Sequence, residues 1–89
     1  MIAITRYHVP EKDAEVFAEA ARAVLKALAE CPGHRSGRLG RNTDEPGLWA
    51  MVTEWDGAGF YRRALSAVRM QVIPLSVYAV DEPGAFEIM

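Results

Sequence analysis

The side chains of this sequence that are best suited to chemistry are aromatic rings and hydroxyl groups. His8 is a candidate general base, because an unperturbed imidazole titrates near neutral pH, and Tyr7 beside it could assist proton removal. A pocket walled by such rings would hold a flat apolar molecule. The set that could build it is Tyr7, His8, Trp49, Trp55, Phe60, Tyr61 and Tyr78. The alternatives are that the rings are core or interface anchors and that His8 ends a strand at the rim of a sheet.

The motifs of the common catalytic classes are absent from the sequence. Gly33, Gly37 and Gly40 are irregularly spaced and no Lys-Ser or Lys-Thr follows them, so no phosphate-binding loop is predicted. No Gly-x-Ser-x-Gly segment exposes a nucleophilic serine. Neither histidine stands at a metal-binding spacing from the single cysteine, Cys31. We therefore expect no metal and no other cofactor, and neither a conventional hydrolase nor a kinase.

Composition indicates an ordinary globular domain. The chain has 89 residues, of which 51% are hydrophobic and 25% charged, and this predicts a single domain over residues 1–89. Its formal net charge of −2 argues against nucleic acid, which is normally bound by a basic face. No apolar stretch is long enough to span a bilayer, and the lone Cys31 cannot form an internal disulfide. A cytoplasmic protein with no membrane partner is the expectation.

Hydrophobic periodicity predicts two strand–helix–strand units. The clearest signal is a helix between Pro10 and Pro32, in which apolar residues recur at helical spacing along one face. A second helix is expected over residues 56–68. Strands are predicted over residues 2–8, 36–43, 48–55 and about 75–80, with a turn at 44–47 joining the middle pair into a hairpin. Alternation along the first strand would direct Ala3, Thr5 and Tyr7 to one face and Ile2, Ile4, Arg6 and His8 to the other.

The predicted order, βαββαβ, is that of an α+β ferredoxin-like fold with both helices on one side of an antiparallel sheet. The strand over residues 48–55 has no face polar enough for water, and an exposed apolar sheet of that size marks an interaction surface. We therefore expect a homodimer in which a second copy covers the open face. The tail, residues 82–89, carries Phe86 and Ile88, and the partner subunit is a candidate surface to bury them.

Over residues 2–78 the sequence resembles the antibiotic biosynthesis monooxygenase family, whose members are dimeric α+β barrel proteins. The first motif is Cys31-Pro32-Gly33-His34, similar to the family's Pro-Gly turn into its second strand. The second is Arg41-Asn42-Thr43-Asp44-Glu45-Pro46, similar to an acidic hairpin of the family. The third is Glu54-Trp55-Asp56 followed by Phe60-Tyr61, which resembles the passage from the third strand into the second helix. The resemblance implies a ferredoxin-like chain that pairs into a dimeric α/β barrel.

The resemblance also implies a chemistry. Family members with known activity oxidise aromatic polyketides with molecular oxygen and use neither flavin nor metal, because the deprotonated substrate supplies the electrons. Thr5, Trp55 and Tyr61 would then contact the substrate, the two rings as walls of its site, with Tyr7 or His8 assisting proton removal. Thr5 occupies the position of an Asn in haem-degrading relatives, and no helix-two His follows Tyr61, so haem degradation is not expected. The alternative is a non-catalytic dimeric module that binds a small ligand or supports another enzyme.

Overall fold

The computed structural model describes residues 1–89 as a four-stranded antiparallel sheet with three helices. The sheet order is β2-β3-β1-β4, and the predicted α+β ferredoxin-like class is confirmed. The elements in chain order are β1 (Ile2–His8), α1 (Ala14–Ala29), β2 (His34–Arg41), β3 (Leu48–Trp55), α2 (Ala58–Ala67), α3 (Arg69–Ser76) and β4 (Ala85–Phe86). One 3-10 turn, Glu11–Asp13, leads into α1. No helix of the chain combines the length and the apolar character needed to cross a membrane.

The first helix covers one face of the sheet with the apolar stripe that the sequence predicts. Phe17, Ala21 and Leu28 are at most 2% exposed, and the alanines along this stripe let the helix lie close to the strands. The helix ends before Gly33, whose φ of 84° lies in the left-handed region. A Cβ at Gly33 would lie 2.4 Å from Cγ of Phe60, so only glycine allows α2 to pack against this turn.

Alternation along β1 and β3 gives the sheet two different faces. The inner face, toward the helices, carries Ala3, Thr5, Tyr7, Trp49, Met51, Thr53 and Trp55. The outer face carries Ile2, Ile4, Arg6, His8, Leu48, Ala50, Val52 and Glu54. Every inner-face residue but Thr5 is buried, whereas no outer-face residue is. The predicted parity of the first strand is therefore confirmed, and one face of the sheet is left without a covering layer within the chain.

The prediction of a strand over residues 75–80 was wrong. Residues 69–76 form α3, because Val72 and Leu75 are spaced to pack from a helix and Leu75 is 1% exposed. Pro74 lies inside this helix, and the carbonyl that loses its partner belongs to Met70, which is exposed to water. Of the predicted strand, residues 78–80 form one isolated bridge to β1: Ala79 lies opposite Tyr7, the amide of His8 donates to the carbonyl of Tyr78, and the amide of Val80 donates to that of Arg6.

The edge of the sheet is instead completed by β4, from the segment that we predicted to be a tail. Ala85 pairs with Ala3 and Phe86 with Ile2, and the backbone amide of Ile4 donates to the carbonyl of Gly84 at 2.7 Å. The side chains of Phe86, Ile88 and Met89 remain exposed. Burial of these side chains on a partner subunit stays a prediction.

Candidate active site

A cavity of about 160 Å³ lies between the inner face of the sheet and the three helices. Its lining is formed by Ala3, Thr5, Tyr7, Val24, Leu28, Met51, Thr53, Tyr61, Leu65, Val72, Leu75, Ser76 and Ala79. None of these side chains carries a charge at neutral pH, and the polar ones are all hydroxyls. An apolar cavity with a few fixed polar groups is the usual form of a small-molecule site.

Three of the hydroxyls are gathered by the geometry of β1 and α2. Thr5 and Tyr7 are two residues apart on one strand, so their side chains point to the same face. Tyr61 reaches the same space from the first turn of α2, and Thr5 is the polar neighbour of both phenol groups. The structure therefore brings Thr5, Tyr7 and Tyr61 together. The other two predicted catalytic or substrate-binding residues, His8 and Trp55, do not line the cavity.

The two tyrosines of the cavity stay protonated over the physiological pH range. The pKa of Tyr7 is raised to about 12, chiefly by burial and to a lesser extent by the nearby Tyr61, while the Thr5 hydroxyl partly opposes both effects. Burial also raises the pKa of Tyr61, again opposed by Thr5. A neutral phenol is a hydrogen-bond donor and a poor base at pH 7. Tyr7 and Tyr61 are thus suited to donate hydrogen bonds to an oxyanion in the cavity.

Two further hydroxyls of the lining are held by partners within the protein. The Trp55 indole N–H donates to Oγ1 of Thr53 at 2.9 Å, and the Ser76 hydroxyl donates to the carbonyl of Ile73 at 2.6 Å. The sequence analysis missed both residues. The alternation with Met51 and Trp55 could have revealed Thr53, whereas Ser76 belongs to the segment whose strand prediction was wrong.

Trp55 supports the cavity from behind. The indole is 1% exposed, and its ring lies 5.8 Å from the Tyr61 ring and 5.1 Å, edge to face, from that of His34. Trp55 does not belong to the cavity lining. It fixes Tyr61 by packing, and the structure does not place it as a wall against a ligand.

His8 lies away from the cavity. Adjacent residues of a strand point to opposite faces, so the alternation that directs Tyr7 inward directs His8 to the outer face, where it is exposed. Its backbone amide donates to the carbonyl of Tyr78 at 2.9 Å, which ties the strand end to the segment after α3. The structure does not bring the His8 imidazole to the site that holds Tyr7, Thr5 and Tyr61. No group of three or more His, Cys, Asp or Glu side chains in the chain is arranged to hold a metal ion.

Residues 1–71 match the sequence model of the family described as Antibiotic biosynthesis monooxygenase. The chain belongs to the antibiotic biosynthesis monooxygenase family. The matched residues include the first strand with Tyr7 and the whole of α2 with Tyr61. The part of the cavity built by Val72, Leu75, Ser76 and Ala79 lies beyond them.

Solved structures share the fold of this family member at low sequence identity. SnoaB, a cofactor-independent oxygenase from Streptomyces nogalater, is 22% identical, with a TM-score of 0.84, and the match covers 99% of this chain and 91% of that one. A conserved protein from Methanosarcina mazei Go1 is 13% identical, with a TM-score of 0.80, over 91% of this chain and 82% of that one. No curated protein sequence matches the chain.

Proposed function

We propose that this antibiotic biosynthesis monooxygenase family member is a cofactor-independent monooxygenase that oxidises a small aromatic, polyketide-like molecule with O2. The observation that carries the proposal is the apolar cavity, whose only polar groups are hydroxyls and into which two protonated tyrosines are directed. Such a cavity excludes water and offers donors to a developing oxyanion, and these are the contributions a substrate needs when it supplies its own electrons. The family match and the fold shared with SnoaB support the proposal.

The reaction we propose begins when a hydroxyl of the substrate loses its proton to solvent at the opening of the cavity, where Ser76 and Ala79 are exposed, because no lining residue is a base at neutral pH. Tyr7 and Tyr61 donate hydrogen bonds to the resulting oxyanion. An electron-rich carbon of the anion then bonds to O2, and the distal oxygen takes up a proton to give a hydroperoxide. The O–O bond and the C–H bond at that carbon break together, water leaves, and a carbonyl remains. One oxygen atom is thus in the product and the other in water, and the substrate has provided all four electrons.

The proposed enzyme acts as a homodimer, with a second copy covering the outer face. Apolar side chains dominate the middle of that face, where Val52 is 38% exposed and Ile4 lies opposite it in the register. Phe86, at 49% exposure, continues the same surface onto β4. An apolar sheet face of this extent is normally an interaction surface, and a second copy presents a self-complementary one.

Oxygen uptake by the pure protein tests the catalytic proposal. We expect uptake with phenolic, hydroquinone or anthrone substrates that persists after treatment with a chelator and without added flavin. Tyr7→Phe and Tyr61→Phe should each lower the rate about 100-fold, the usual effect of removing one oxyanion donor. Tyr78→Phe is the matched control, because the Tyr78 hydroxyl donates to Asp13 at 3.0 Å and does not line the cavity. Uptake that is absent, or equal in all three variants, would refute the proposal.

The second candidate function is a non-catalytic module that binds a small molecule in the same cavity. The modest cavity volume of about 160 Å³ favours it, since most ligand pockets have about 300–1,000 Å³. A ligand that binds in calorimetry but is never consumed in the presence of O2 would select this function over the oxygenase.

A further inference from the structure

The cavity restricts the size of the molecule that fits it. An apolar cavity of about 150 Å³ in another protein accommodates benzene, and the cavity here has about 160 Å³. Its walls are residues of five elements, β1, β3, α1, α2 and α3; Leu28 and Leu75 at its boundary are at most 2% exposed, whereas Ser76 and Ala79 are exposed where it opens to solvent. A molecule of three fused rings would have to displace the buried side chains, which are held by dense packing, or leave much of its apolar surface outside the opening in water.

The lining also restricts the charge of the ligand. The cavity has no Arg, Lys or His side chain, so a carboxylate or phosphate of the ligand would be buried without a counterion. Burial of an unpaired charge is strongly unfavourable, whereas a hydroxyl can be satisfied by the hydroxyls already present. Tyr7 and Tyr61 provide donors, and Ser76 donates its own proton to Ile73 and keeps its oxygen lone pairs as acceptors.

We infer that the ligand of this cavity is an uncharged molecule with a single aromatic ring, of the phenol or hydroquinone class. This inference rests on the proposed function, and it narrows the substrate from polycyclic to monocyclic. For hydroquinone the balanced reaction is hydroquinone plus O2 to hydroxybenzoquinone plus water. A ring C–H bond is replaced by a C–O bond, the two existing hydroxyls end as carbonyls, and the second oxygen atom leaves as water.

The cavity can be enlarged, so that it accepts a ligand with more rings, without truncating a fully buried side chain. Leu65 on α2 and Val72 on α3 line the cavity and are only half-buried. Leu65→Ala combined with Val72→Ala enlarges the cavity from the helix side. Leu39→Ala is the matched control, because Leu39 is also half-buried and packs against the core but does not line the cavity.

Calorimetric binding in the absence of oxygen tests the inference, with p-cresol, p-hydroxybenzoate and anthrone as probes. We expect wild-type protein to bind p-cresol at least about tenfold more tightly than either of the others, a difference of about 1.4 kcal/mol. The double variant should gain affinity for anthrone about tenfold, and Leu39→Ala should not. Circular dichroism confirms that each variant is folded.

The inference and the proposed function can fail separately. Anthrone or p-hydroxybenzoate binding as tightly as p-cresol to the wild-type protein would overturn the inference, as would no binding of p-cresol. Hydroquinone that binds but is not consumed with O2 refutes the oxygenase and leaves the size and charge of the ligand as inferred. Oxygen uptake with anthrone and none with hydroquinone would overturn the inferred ligand size and leave the oxygenase proposal in place.

Discussion

The inner and outer faces of the sheet are built from the same strands but differ in what covers them. The inner face is covered by three helices and holds an aromatic cluster centred on Phe17, whose ring lies 5.0 Å from Tyr7, 5.4 Å from Trp49 and 5.5 Å from Tyr78. The outer face has comparable apolar residues but no layer over them within the chain. The face to which a strand residue points therefore decides whether its side chain can reach the cavity. Tyr7 lines the cavity, and its neighbour His8 does not.

The polar groups of the two faces differ in the same way. Inside, the cavity is neutral and its hydroxyls are dry enough to raise tyrosine pKa values. Outside, Arg6 forms an ion pair with Glu82 at 2.6 Å, in which both side chains are partly exposed. An exposed pair of this kind contributes at most about 1 kcal/mol and is screened by salt. The inner face is therefore the one suited to chemistry that needs a low-dielectric site, and the outer face is the one to which we assign the proposed association.

The largest expected difference between the faces is in folding stability. Trp55→Ala should lower the free energy of unfolding by about 3–5 kcal/mol, because it leaves a large cavity and removes the hydrogen-bond partner of Thr53. Val52→Ala on the outer face should cost about 1 kcal/mol or less. Urea unfolding of both variants at one protein concentration measures the difference. Equal costs would mean that the outer face is as tightly packed as the inner one.

The next effect concerns assembly. Val52→Asp places a charge in the middle of the outer face, and burying it unpaired should cost about 2–5 kcal/mol of association, which raises the dimer dissociation constant at least about 30-fold. Sedimentation at micromolar concentration should then show a single copy that remains folded. Val16→Asp, at a 70% exposed position on α1, is the control and should leave the mass unchanged. A wild-type protein that sediments as a monomer would contradict the homodimer.

A smaller effect is expected at alkaline pH. The pKa of Tyr7 is about 12 in the folded protein and 10.0 in the reference state, so between these values the unfolded chain loses the proton while the folded one keeps it. Stability is therefore fully present below about pH 10 and falls as the pH rises, by up to about 2.7 kcal/mol from this residue. In Tyr7→Phe the urea midpoint should depend less on pH between 9 and 11 than it does in wild type. The difference in unfolding free energy between the two proteins must exceed the typical error of roughly 0.5 kcal/mol to count. An unchanged slope would place the Tyr7 hydroxyl in water.

The smallest expected effect is that of His8 on catalysis. Because His8 lies on the outer face, His8→Gln should leave the rate of oxygen uptake within about twofold of wild type, a difference below 0.5 kcal/mol. The rate should rise with pH as the substrate hydroxyl ionises, in both proteins. A rate that falls about tenfold or more in His8→Gln would show that the imidazole reaches the substrate.

Much of the fold could be predicted because local patterns and tertiary packing agree. The stripe from Ala14 to Leu28 repeats at helical spacing, so the helix was predicted with its buried face; β1 and β3 were predicted as strands from their alternation, but the face that the helices cover was left open. The segment from Val72 to Leu75 was not, because a short apolar run around Pro74 fits a strand or a helix equally well. Contacts with α1 and the inner face decide in favour of the helix.

Residue order alone was enough to predict that Thr5 and Tyr7 share one face, that the helices cover one face of the sheet, and that the other face is apolar as well. These follow from the periods of strands and helices, which depend only on residue order. Tertiary contacts decided which face of the sheet the helices cover, that Tyr61 joins Thr5 and Tyr7, that Trp55 stands behind Tyr61, and that α3 contributes a wall of the cavity. Those facts depend on contacts between residues distant in the chain, and the energy of such contacts is set by packing that no local pattern contains.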